Sequence, residues 1–273
     1  VGWVVGLIVL TVGIGVLYGL SAHMVLKAAG VPRGSLMSAL ALMLGLALIV
    51  AVYVLAVRTG ERRAVEEFAL PGAFGQLAAG VGGGVALFAL VMALLVAGGD
   101  YTVRLAPSGT PWQSFAYGIQ GGVFEELLFR GVLMRLLWEA FGWPLALVVS
   151  ATLFGLAHLA NPGNSVAGAL LIIFEAGLPL GAIYLLTGRL WAGIGAHFGW
   201  NFAQGYLFGA EVSGNDPGGH VLLSAPRAGV PALLTGGTFG PEASLTCLAV
   251  GTTAGVLLVV WARRRSFAQW RAA

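Results

Sequence analysis

Charge is scarce in this chain and cysteine nearly absent. Only 9% of its 273 residues are charged, against roughly 25% in a soluble domain, which excludes an ordinary water-facing globule. A single cysteine, Cys247, excludes an internal disulfide and any thiolate metal cluster. It lies among Leu, Ala and Val in the last apolar run, and reads as a small core hydrophobe. The formal net charge of +3 is too small and too dispersed for a nucleic-acid surface, so no nucleic-acid partner is expected. The HExxH signature of soluble metalloproteases is absent. No internal repeat is evident either, which counts against an inverted-repeat transporter.

What remains is apolar. Hydrophobic residues make up 58% of the chain, and the mean hydropathy is +0.91, values of a polytopic membrane protein. A spanning helix needs about 20 mostly apolar residues. By that measure the chain is all-α, a membrane helix bundle of about eight transmembrane helices at 3–26, 36–57, 74–97, 114–138, 145–159, 165–187, 190–209 and 244–262. The fifth is short and reads as shielded by its neighbours. The opening run starts at Val1 without a charged flank, and reads as a first spanning helix rather than a signal peptide. Residues 1–273 are taken as a single membrane-embedded domain. The charged stretch from Arg58 to Pro71 suits an amphipathic surface helix. The longest loop, about 210–243, is rich in Gly and Pro. With eight spans, ten basic residues fall on one side and Lys27, Arg33, Arg104 and Arg227 on the other, which places both termini in the cytoplasm. Glycines at small-xxx-small spacing, Gly80/Gly84, Gly118/Gly122, Gly177/Gly181 and Gly251/Gly255, mark close helix approaches. Gly118 and Gly122 leave room beside Glu125 for a substrate or a neighbouring helix.

Three polar motifs interrupt this apolar sequence: VFEELLFRG at 123–131, LFGLAH at 153–158 and HFGWN at 197–201. A charge at the bilayer centre costs on the order of 2.5–3.5 kcal/mol even on lenient scales, so several in neighbouring spans indicate a site. Glu126 and Arg130 are four apart with the acid first, the favoured order for a helical ion pair. Glu125 lies about 100° around the helix, which leaves it free of that arginine. His158 shares a face with Phe154, and Asn161-Pro162 ends the helix soon after. His197 and Asn201 project from one face of the seventh span. One free carboxylate, two imidazoles and an amide can deprotonate water and stabilise an oxyanion. Glu125, His158 and His197 also match the composition of a catalytic zinc site with an open position. A divalent metal such as Zn and no cofactor at all both stay open on these residues. Glu175 in the sixth span is either a cavity liner or an interhelical hydrogen-bonding group, whereas His220, Asp216 and His23 read as solvated or interfacial.

These motifs resemble the CAAX protease and bacteriocin-processing family, the Abi-type intramembrane endopeptidases. Its pattern EExxxR, FxxxH and HxxxN is filled by Glu125, Glu126 and Arg130, by Phe154 and His158, and by His197 and Asn201. The resemblance covers roughly 110–260, with a protease core at about 110–262, and LTGGTFGPEAS at 234–244 is similar to a segment of a bacterial branch. It implies a polar cavity opening within the lipid bilayer of a prokaryotic plasma membrane. It also implies a membrane-associated protein or peptide as substrate, prenylated in eukaryotic members. Glu125 would then activate water with His158, His197 and Asn201 would bind the oxyanion or complete a metal site, and Glu126 and Arg130 would support the geometry. Two other readings use the same residues: a silent protein of the same fold with an immunity or assembly role, and a proton- or cation-coupled transporter.

Overall fold

The computed structural model describes residues 24–32 and 34–269, together with scattered positions between 6 and 21, with side chains described through Arg264. The protein is mostly helical. Among the described residues, five helices are long and apolar enough to cross a membrane: α1 (Leu36–Glu61), α2 (Ala73–Ala97), α4 (Trp143–Ala160), α5 (Val166–Thr187) and α7 (Leu245–Arg264, continuing as helix to Gln269). Two more expected spans are helical but poorer candidates by length and composition. Helix α3, 112–141, carries Glu125, Glu126, Arg130, Arg135 and Glu139, and α6 covers only 191–207. The first and third polar motifs therefore sit on the helices least able to face lipid alone, and the second ends α4. The first expected span, 3–26, lies largely outside the described residues.

Helix α6 is central, with α2 along one side and α3 and α5 on others; α4 packs on α3 and α5, and α7 on α5 and α2. The α2–α6 contact is backbone against backbone. A Cβ on Gly80 or Gly84 would run into the Ala192 or Ala196 carbonyl, and one on Gly195 or Gly199 into the Leu77 or Val81 carbonyl. Two small-xxx-small stripes thus face each other; only the α2 stripe was anticipated. Side chains such as Leu46, Tyr53, Leu127, Leu147 and Ile194 fill the space between α1, α3, α4 and α6. On the outside, Leu44, Leu55, Val148 and Leu257 are left exposed, as lipid-facing residues are.

Two connections differ from expectation. Stretches read as loops pair as a two-stranded antiparallel sheet, β1 (Tyr101–Ser108) with β2 (His220–Pro226), in register from Tyr101↔Pro226 to Ser108↔His220. The chain is thus not wholly α-helical, and the pairing ties the long loop to the segment before α3. The charged stretch after α1 forms no amphipathic helix. Arg62 turns left-handed (φ 55°) and stops α1. Glu67, buried, and Glu61 then clamp Arg63 and Arg135 at 2.6–3.0 Å. Those carboxylates hold the stretch against α3, where a surface helix would have splayed them towards water.

Candidate active site

Helix α3 reaches the site through wider π-helical turns at Gly121–Glu125 and Leu127–Met134, a local geometry that recurs at functional sites. Gly118 and Gly122 make room for α6, because added methyls would meet the Phe198 ring and the Ile194 carbonyl. Gly121, which the spacing rule passed over, does something different. A Cβ there would stand 2.7 Å from His197 Nε2 and 3.0 Å from Asn201 Nδ2. Its missing side chain lets those two groups sit against α3.

Arg130 is fully buried and donates from Nη1 to Glu126 Oε1 at 2.9 Å and from Nη2 to the Gly177 carbonyl at 3.1 Å. Its guanidinium also lies 4.5 Å over the Phe154 ring, a favourable contact for a desolvated cation. Phe154 in turn touches both imidazoles, at ring separations of 4.7 Å to His158 and 6.0 Å to His197. Glu126 has a second partner. The same Oε1 lies 2.9 Å from His197 Nδ1; a carboxylate can only accept there, so Nδ1 carries the proton. Pairing with Arg130 is what the sequence spacing suggests; orienting His197 is not.

His158 is fixed likewise. Its Nδ1 stands 2.8 Å from the Phe154 carbonyl, which must accept, and Asn164 Nδ2 donates to the His158 carbonyl at 2.8 Å, just past the helix end. In both neutral rings Nε2 is left as a bare lone pair. Both Nε2 atoms face Glu125 Oε2, at 3.9 Å from His158 and 4.0 Å from His197. That oxygen is buried and has no hydrogen-bond partner among the described residues. Three acceptors therefore converge with no donor between them, and a water, bringing two O–H groups, satisfies two at once. Asn201, one turn beyond His197, is buried nearby. The fit to zinc is poorer. Ligands at about 2.0–2.1 Å on a tetrahedral ion stand roughly 3.3 Å apart, closer than these atoms are. No group of three or more His, Cys, Asp or Glu among the described residues is arranged to hold a metal ion.

A cavity of about 660 Å³ opens beside this cluster, its wall including His158, His197 and Asn201. Glu175 and Glu242 line it as well, both almost fully buried. Glu175 accepts from Cys247 Sγ at 3.3 Å, so both readings of Glu175 hold, and the cysteine is a donor as well as core filler. Glu242 was not anticipated. It lies in LTGGTFGPEAS at 234–244, inside a Gly- and Pro-rich loop, a setting that usually means solvent. Asp216 is exposed, as expected, His220 is half-buried in β2, and His23 lies outside the described residues.

Residues 107–203 match the family model described as type II CAAX prenyl endopeptidase Rce1-like. This stretch is Rce1-like. It holds all three motifs, and the match agrees with the resemblance they carry. No curated protein and no solved structure matches the chain. The five apolar helices mark an integral membrane protein, and its segment 107–203 is similar to the CAAX prenyl endopeptidase family. Glu175 lies inside the matched stretch, whereas Ser213, Glu242 and Cys247 lie beyond its end.

Proposed function

We propose that this protein is an intramembrane endopeptidase that hydrolyses peptide bonds of membrane-associated proteins or peptides with a water activated by Glu125 and His158. The observation that carries the reading is the convergence of Glu125 Oε2 with the Nε2 atoms of His158 and His197 at 3.9–4.0 Å, without a donor among them. A water held there donates one proton to Glu125 and the other to an imidazole, and its oxygen is left to attack a carbonyl in the adjoining cavity. Glu125 is the base because it has no arginine partner among the described residues, whereas Glu126 is committed to Arg130 and His197. The Asn201 amide is the donor for the oxyanion, on the same helix face as His197; one such donor is worth about 10²–10³ in rate. In this reading one membrane domain carries the core at about 110–262, with both termini in the cytoplasm of a prokaryotic cell.

The test compares newly formed protein termini in membranes from cells expressing wild type or Glu125→Gln at matched levels. Termini present only with wild type support the proposal and name substrates. Identical termini, with wild type producing a phenotype, would replace it with the silent immunity or assembly role.

A further inference from the structure

Peptide hydrolysis needs two proton transfers at different places. The attacking water loses a proton, and the departing nitrogen must gain one. The Glu125 cluster accounts for the first. Glu242 occupies the cavity wall with His158, His197 and Asn201, whereas Glu125 is not a wall residue and meets the cavity through the two histidines. Building on the peptidase reading, we propose that Glu242 is the acid that protonates the departing amine.

Glu242 is 4% exposed, and its Oε1 has no hydrogen-bond partner among the described residues. The Ser213 hydroxyl and the Gln204 amide interact with the carboxyl, and both imidazoles lie within electrostatic reach. Burial is the main influence and pushes the carboxyl up from its ordinary value, favouring the protonated form that an acid catalyst needs. Glu175, the other acid on this wall, is engaged by the Cys247 thiol.

The frame around Glu242 is built with care. Gly214 N donates to the Phe239 carbonyl at 2.8 Å, and Ser244 N to the Pro241 carbonyl at 3.1 Å. Ser213 is held left-handed at φ 49°, a conformation a non-glycine residue keeps only when its surroundings impose it. At Gly240 (φ 111°) a side chain would strike the Glu211 carbonyl. Two loops from opposite sides of the long connection are thus locked together, placing an acid where a surface loop would have shed it to solvent.

The chemistry balances. Water oxygen bonds to the carbonyl carbon while Glu125 takes one of its protons. The C–N bond then breaks, its electron pair stays on nitrogen, and nitrogen takes the Glu242 proton. The proton on Glu125 passes through water to Glu242, which leaves both carboxyls as they began.

The experiment uses the full-length protein in detergent micelles. The probe is a quenched-fluorescent peptide spanning a junction found in the terminus comparison, made with the scissile amide and with an ester in its place. An alkoxide leaves more readily than an amide anion, so losing the acid should hurt the ester less. Glu242→Gln is expected to lower kcat on the amide by about 10²–10⁴, with KM changed less than about threefold and the ester slowed by less than about tenfold. Glu242→Asp, which keeps an acid in the same frame, should show the same amide-over-ester pattern in smaller measure, and serves if the Gln variant does not fold. Equal losses on amide and ester, a change in KM alone, or full amide activity would overturn the inference while the peptidase reading stands. A wild type that yields no junction at all overturns both.

Discussion

Neutralising Glu126 should damage the fold more than the chemistry alone would suggest, and neutralising Glu125 should do the reverse. In Glu126→Gln the shape is nearly kept, but Arg130 loses its one carboxylate partner among the described residues while fully buried. What remains to it is the Gly177 carbonyl and the face of Phe154. Breaking a buried pair on one side costs about 3–5 kcal/mol, because the abandoned charge stays desolvated. The amide oxygen can still accept from His197 Nδ1, so the lost bond to that ring adds at most about 1 kcal/mol. Against this, Glu125 Oε2 has no hydrogen-bond partner among the described residues to lose, and Glu125→Gln should shift stability by less than about 1 kcal/mol. The assay is denaturant unfolding in mixed micelles, followed by tryptophan fluorescence, on wild type and both variants. Replacing the pair together, with Glu126→Gln and Arg130→Met, should recover much of the loss, since no buried charge is then stranded. Equal stability of Glu126→Gln and wild type would refute the reasoning, as would a larger loss for Glu125→Gln.

Two further substitutions probe how the site is built. Gly121→Ala places a methyl 2.7 Å from His197 Nε2, so cleavage should fall by at least about 10²-fold with a modest change in unfolding midpoint; retained activity would show that the two helices do not hold this approach. Gly84→Ala drives a methyl into the Ala196 backbone, where no rotamer change relieves it, and should cost at least about 1–3 kcal/mol, read as a lower folded yield and midpoint. A neutral result there would mean that α2 is not clamped on α6.

How far the sequence could be read depends on which interactions are local. The Glu126–Arg130 pair, the shared face of Phe154 and His158, and that of His197 and Asn201 are all four-residue spacings on single helices, and the structure keeps each of them. Four glycine pairs on single helices were equally legible. What failed was long-range or depended on competition between partners. The pairing of β1 with β2 joins residues more than a hundred positions apart, and nothing in either strand announces the other. The stretch after α1 has the composition of a surface helix, yet Glu61 and Glu67 found Arg63 and the buried Arg135 instead of water. Glu242 carried no reading of its own in the sequence, and only the locking of two loops onto the cavity makes it a buried wall residue.

The sequence by itself therefore determined that this is a helical membrane protein with a polar site on three motifs, because hydrocarbon tolerates few charges and helical periodicity fixes which residues share a face. Only the tertiary structure decided what each motif does for the others. Helices α3, α4 and α6 meet at Gly121 and Phe154, where one carboxylate oxygen anchors both an arginine and a histidine and another faces two bare imidazole nitrogens. Those distances belong to the packing of separate helices, and no spacing along one chain segment encodes them.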